Sequence, residues 1–263
     1  MLRRRLKLFL VCAVFLSVVS CDKDNFVYHR ESDSGVLSFE GFSLMVSEDV
    51  NKKTRASSAA GDYVLFLYDN TGALVWQKSY QDALSAGDVT LPAGVYTLEA
   101  RSTAADVPLA AFGLPVYGAS KDFTIKAGAT TSLGSITCGL LQAVVTVGYN
   151  EEFLRSVTGD GVVSVELAAG CPLEYRLGRS DGDPTFEQRE GYFSVNGDDA
   201  TIVLTFNGSV DGSSLRMRAV ITGVKARDRH VATIMKTIGA SGAASFCVEI
   251  DGSVFNAMKF IHE

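Results

Sequence analysis

The chain has 263 residues, of which 24 are lysine or arginine and 30 are aspartate or glutamate, a net charge of −6. That acidic balance excludes a surface built to attract nucleic acid. With 47% hydrophobic residues and 25 glycines against 5 prolines, the composition is that of a packed, turn-rich fold and excludes a disordered chain.

The N-terminus carries Arg3, Arg4, Arg5 and Lys7, followed by an apolar run from Leu8 to Val19. This is signal-peptide anatomy, and a run of about a dozen residues falls short of the roughly 20 needed to span a bilayer. It closes on Val18-Val19-Ser20-Cys21, which resembles the bacterial lipobox. Cleavage between Ser20 and Cys21 and acylation of the Cys21 thiol with palmitate-type chains are therefore expected, with residues 1–20 as the signal peptide. Each buried methylene of an acyl chain contributes about 0.8 kcal/mol, so two or three chains make a lasting membrane tether. Loss of the four basic signal residues leaves 20 basic against 30 acidic residues, a net charge of −10. Residues 21–35, opening on Asp22-Lys23-Asp24-Asn25, read as a linker between lipid and fold.

From Val36 onward, short β-type runs follow one another between Gly, Asn and Asp. Val36 to Val46 reads as the first strand. Asp62 to Tyr68 is apolar enough to be buried on both faces, and the turn Asp69-Asn70-Thr71-Gly72 returns the chain into Ala73 to Tyr80. There Leu74 and Trp76 are expected on one face, with Trp76 in the core. Val89 to Leu91 and Val95 to Ala100 flank Pro92-Ala93-Gly94, where proline fixes φ and glycine admits positive φ. Tyr96, Leu98 and Ala100 share a face. Phe123 and Ile125 then alternate with Thr124 and Lys126, and Leu133 to Thr137 follows.

In the second half, strict alternation marks Leu141 to Tyr149, Val163 to Leu167, Ile202 to Phe206 and Leu215 to Ile221 as strands with one face in a core. Only Glu151 to Val157 hints at helix. Val231 to Met235 and Ser245 to Ile250 complete the set, with Phe255, Met258 and Phe260 closing it. Regularly spaced strands over 243 residues predict an all-β chain of two tandem β-sandwich domains, 36–139 and 140–263.

Chemistry-bearing groups are sparse. Of the five cysteines, Cys12 leaves with the signal and Cys21 takes lipid. Cys138, Cys171 and Cys247 are then an odd set without metal spacing, read as buried thiols rather than a disulfide. His29, His230 and His262 have no partner at ligand or triad spacing, and no motif for a hydrolase elbow, a zinc helix or a phosphate loop occurs. Glu151-Glu152 and Asp198-Asp199 read as solvated turns, although glycosidase carboxylates can come from anywhere in a chain. Asp181-Gly182-Asp183 and Asn196-Gly197-Asp198-Asp199 could offer oxygen ligands to calcium but lack the full loop pattern. The sequon Asn207-Gly208-Ser209 reads as a turn, and Lys225, Arg227, Arg229 and His230 as a solvated basic loop. No cofactor, metal site or catalytic residue is expected.

The lipobox, the loop Lys53-Thr54-Arg55-Ala56, the strand Tyr63 to Tyr68, Leu91-Pro92-Ala93-Gly94-Val95-Tyr96-Thr97-Leu98-Glu99-Ala100 and Pro115-Val116-Tyr117-Gly118 together resemble a family filed as a domain of unknown function. Its members look like Bacteroidetes fimbrillin-type, two-domain surface lipoproteins described as cell-adhesion proteins. The resemblance covers nearly the whole mature chain, although the Leu-Pro-Ala-Gly-x-Tyr hairpin also occurs in transthyretin-like modules of other proteins. It implies a transthyretin-like first sandwich, a second sandwich and no catalytic residues. Asp22-Lys23-Asp24 resembles the charged stretch that sends Bacteroidetes lipoproteins to the outer face of the outer membrane. The resemblance also makes Arg55 the candidate for proteolytic processing, which in fimbrillin-like proteins frees the N-terminal strand and opens a groove for another subunit's strand. The expected function is that of a non-enzymatic, membrane-anchored fimbrial component or adhesin, whose partners are other fimbrial subunits or a surface ligand. A glycan-binding lipoprotein of a polysaccharide-uptake system is the rival reading, and would require Trp76 as an exposed sugar platform.

Overall fold

The structure is a computed structural model that describes residues 33–47, 60–167, 170–180, 182–195, 197 and 199–256. Its first ten strands are β1 (Ser34–Ser38), β2 (Ser43–Val46), β3 (Val64–Asp69), β4 (Leu74–Ser79), β5 (Val89–Pro92), β6 (Gly94–Arg101), β7 (Ala110–Phe112), β8 (Tyr117–Ile125), β9 (Thr130–Ser132) and β10 (Ser135–Leu140). A helix, α1 (Tyr80–Ala86), follows β4. The chain continues with β11 (Gln142–Tyr149), the helix α2 (Glu151–Ser156), β12 (Val157–Leu167), β13 (Leu173–Ser180), β14 (Asp183–Phe186) and β15 (Gly191–Ser194). Then come β16 (Ala200–Val210), β17 (Ser213–Val224), β18 (Arg229–Ile238), β19 (Ala244–Ile250) and β20 (Ser253–Asn256).

Two sheets, β5-β1-β9 and β2-β10-β8-β6-β3-β4, enclose a first core that includes Leu37, Leu65, Leu67, Leu91, Leu98 and Ile125. Two more, β20-β19-β18-β11-β15-β7 and β14-β13-β12-β16-β17, enclose a second that includes Val145, Phe153, Val163, Tyr175, Phe206 and Ile234. The fold is therefore all-β and of sandwich type, as the alternating runs imply. Tyr96, Leu98 and Ala100 all face the first core, and Ile202, Leu204 and Phe206 all face the second. On the outer face of β3 only Phe66 is buried, because the guanidinium of Arg101 covers it, 4.1 Å from its ring, while Val64 and Tyr68 on that face are half-buried.

Several expectations need correction. Val36 to Val46 is two strands rather than one: Gly41, at φ +70, breaks the run and sends β1 and β2 into different sheets. Ala73 to Tyr80 ends early because Ser79 accepts from the N–H of Asp82 and caps α1, a Ser-x-x-Asp start signal. Leu74 and Trp76 do not share a face. A bulge sets Leu67 opposite Trp76 but Tyr68 opposite Leu74, so Val75 is the extra residue and Leu74 is turned outward, 51% exposed. Pro92-Ala93-Gly94 is a corner rather than a hairpin, since β5 pairs with β1 while β6 pairs with β3 and β8. Asn207 is no turn residue; it lies within β16, opposite both Val162 and Arg216. Cys138 and Cys247 are buried thiols, but Cys171 is exposed.

Candidate functional site

The first core is completed by its two earliest strands. β1 lies at the centre of its sheet, antiparallel to β5 on one side and parallel to β9 on the other, with Leu37 opposite both Val89 and Thr131. β2 adds in parallel to the end of the other sheet, Leu44 opposite Ile136. Leu37, Phe39, Phe42 and Leu44 are all buried, and complete burial of such side chains is worth roughly 1.5–3 kcal/mol each. Phe39 and Phe42 meet edge to face at 5.5 Å, Phe42 lies 5.8 Å from Tyr80, and Phe39 lies 6.2 Å from Trp76. The fit of β1 is tight at the backbone. A Cβ on Gly35 would stand 2.2 Å from the Lys126 carbonyl oxygen and 2.8 Å from that of Ala129, so only glycine lets the strand approach this turn.

Beneath these strands Tyr63 and Cys138 are held neutral by burial. Burial pushes the Tyr63 phenol up to about 12 and the Cys138 thiol up to about 11. A thiol so raised is not a nucleophile at neutral pH. What the arrangement offers is backbone: a strand seated between two others, whose departure would leave facing edges on β5 and β9.

Cys21 and Ser20 lie outside the described residues, as does Arg55, which falls between the end of β2 at Val46 and the short 3-10 turn Ala60–Asp62. His29, His262, Asp181, Asn196 and Asp198 also lie outside them, as do Met258 and Phe260. Among the described residues, no three His, Cys, Asp or Glu side chains converge as metal ligands. Trp76 is partly buried against the first core, so it is neither the fully buried residue expected nor an open platform. Glu151 and Glu152 are not in a turn but in the first turn of α2, where both pair with Arg155.

The basic cluster divides: Lys225 and Arg227 are exposed in the connection between β17 and β18, as a solvated loop implies, whereas Arg229 and His230 lie in β18 and are half-buried. Arg229 pairs with Glu190, His230 Nδ1 lies 2.7 Å from Asp251 Oδ2, and the guanidinium of Arg227 rests on Gly139, where any Cβ would meet it at 2.3–2.5 Å. A shallow groove of about 780 Å³ opens on the outer face of β12 and β13, lined by Asp160, Val162, Arg176, Thr185, Glu187 and Asn207. The residue that sequence reasoning missed is Gln142, fully buried at the start of β11. Its only signal is a polar side chain inside an apolar run.

The fold and site together define an all-β sandwich protein whose distinctive element is the N-terminal strand β1, seated between β5 and β9. The chain belongs to the family described as a domain of unknown function (DUF4493), whose model matches residues 33–261. No curated protein matches it. Among solved structures it is similar to a candidate adhesin from Bacteroides ovatus, with 9% identity, 85% of this chain and 94% of that chain covered, and a TM-score of 0.43. It is also similar to a fimbrial assembly protein from Parabacteroides distasonis, at 11% identity, 85% and 98% coverage and a TM-score of 0.38. A candidate cell adhesion protein from Bacteroides eggerthii gives 13%, 86% and 96%, and 0.38.

Proposed function

We propose that this chain is a lipoprotein of the outer membrane surface, anchored through acylated Cys21, that works as a fimbrial component or adhesin by presenting and exchanging β-strands rather than by catalysis. The observation that carries this reading is the position of β1. It is bonded along both edges and precedes Arg55, so a cut after Arg55 would place β1 and β2 on a segment no longer joined to the rest of the core. Departure of that segment would expose the edges of β5 and β9 and the Leu37 site between them, a seat for a strand from another subunit by β-augmentation. The signal and lipobox and the fimbrillin-like resemblance support it.

Two strains test the proposal. A Cys21→Ser strain fed an alkyne fatty acid is expected to yield unlabelled protein that is released or mislocalised; labelling equal to wild type overturns the anchor. N-terminal sequencing of protein shed from wild-type cells is expected to find a form beginning at Ala56, absent from an Arg55→Ala strain. A surface form beginning only at Cys21 overturns the processing step.

A further inference from the structure

The connection from β6 to β8, residues 102–116, takes an indirect route. The Ser102 N–H bonds to the Tyr117 carbonyl at 2.8 Å, so the two strands are already neighbours where the connection leaves and returns, and a turn of a few residues would join them. Instead the chain crosses to the second core and lays β7 antiparallel to β15, with Ala110 opposite Phe193, Ala111 opposite Tyr192 and Phe112 opposite Gly191.

The Ser194 N–H bonds to the Leu109 carbonyl at 2.9 Å and the Ser194 hydroxyl to the Pro108 carbonyl at 2.7 Å, while the Gly113 N–H reaches the Glu190 carbonyl at 2.9 Å. Phe112 packs edge to face on Tyr175 of the second core, 4.9 Å away, and the Arg189 guanidinium lies 4.9 Å from the same ring. On the way back, the Val116 N–H donates to Gln142 Oε1 at 2.8 Å and the Leu141 N–H to the Val116 carbonyl at 2.9 Å. Beyond these bonds, the separate apolar cluster at this junction consists of Leu140, Val144 and Tyr192, with Tyr117 packed against it.

We propose that residues 102–116 are a latch, with β7 as its engaged part, that makes the two cores open and unfold as one cooperative unit. Each core has a large apolar interior of its own, while the junction cluster has three buried members. Cores so unequal to their junction unfold separately unless further contacts couple them. β7 supplies the coupling because it is covalently part of the first core and hydrogen-bonded into a sheet of the second.

Trp76, the single tryptophan, packs on the first core and reports on it alone, whereas far-UV circular dichroism reports on both cores. In urea, the purified wild-type protein is expected to lose both signals in one coincident transition. The register flanks the Ala111–Tyr192 pair with the bonds to Ser194 and Gly113, which makes it the doubly hydrogen-bonded pair. Ala111→Pro therefore removes a bonded N–H. Its dichroism is expected to become biphasic, with the Trp76 midpoint separated from the second phase by more than about 0.5 M urea.

A second variant replaces residues 104–114 with Gly-Ser-Gly, which keeps the β6–β8 pairing and deletes β7; the same splitting is expected. The latch is overturned if the wild-type transitions do not coincide, or if a folded variant keeps them coincident. It is also overturned if neither variant folds, since β7 would then be part of a core rather than a coupling between two.

Discussion

The Tyr96 hydroxyl donates to the carbonyl of Pro92 at 3.0 Å, across the corner where the chain passes from the β5-β1-β9 sheet to the facing one. The bond reaches back four residues along the backbone, the geometry of a tyrosine corner. Gly94 lies within the span, and the Tyr96 ring also stacks on Phe123 at 5.9 Å. Tyr96→Phe keeps the ring and deletes only the hydroxyl. It is expected to lower stability by about 0.5–1.5 kcal/mol, read from the urea midpoint at unchanged m-value.

Gly35→Ala tests how tightly β1 is seated. A methyl at this position collides with two backbone carbonyl oxygens rather than with a movable side chain. Overpacking of this kind costs typically 1–3 kcal/mol, and a loss of about 2 kcal/mol is expected in thermal or urea unfolding. The comparison is Gly41→Ala: that position has nothing within 4 Å but sits at φ +70, so its smaller expected loss of about 1 kcal/mol comes from backbone conformation alone.

Trp76→Ala is expected to cost about 2 kcal/mol, below the 3–5 kcal/mol typical of a large aromatic taken from a sealed core. The ring is partly covered, by Phe39 at 6.2 Å and by the Lys78 ammonium at 5.4 Å from its centroid. Its indole N–H is buried without a hydrogen-bond partner. Trp76→Phe, which removes that orphaned donor, is accordingly expected to cost less than Trp76→Ala in the same denaturant titration.

Glu187 gives the protein a defined acid sensitivity. Side-chain hydrogen bonds from Arg189 hold its carboxyl at about 2, against an ordinary 4.5, with a backbone bond from the same residue assisting. A carboxylate depressed on folding stabilises the folded state above its unfolded value, and that contribution is lost as pH falls through the folded one. Stability is therefore expected to decline between about pH 4.5 and 2 partly through this group, and the melting temperature of Glu187→Gln should fall less steeply across that window. Asp69 behaves in the same direction, its carboxyl lowered first by the Thr71 hydroxyl and then by the N–H groups of Ala73 and Thr71.

Strand positions were legible because period-two alternation survives wherever one face is buried, as in Ile202, Leu204 and Phe206 or Tyr96, Leu98 and Ala100. What alternation does not carry is partnership. Nothing in Val36 to Val46 announces that its two halves pair in parallel with β9 and β10 in separate sheets, because register and sheet membership are fixed by distant chain. The bulge at Val75 escaped for a related reason: one extra residue reverses the face of everything before it while leaving the apolar pattern intact. Gln142 escaped because its burial is explained only by the Val116 N–H arriving from another part of the fold. For the candidate site, the lipobox pointed to Cys21 and the family resemblance to Arg55, whereas the seating of β1 between β5 and β9 required the structure.

The parallel pairing of β1 and β2 also sets an order of events in folding. Val36 sits opposite Thr130, and Ser43 opposite Ser135, so the first two strands find those partners only near the far end of the first half of the chain. Contacts of such long sequence separation form late and slowly. The slot around Leu37 between β5 and β9 exists only once β9 has formed, so β1 must reach it at that late stage, in competition with any other extended segment nearby, including the corresponding strand of a second chain.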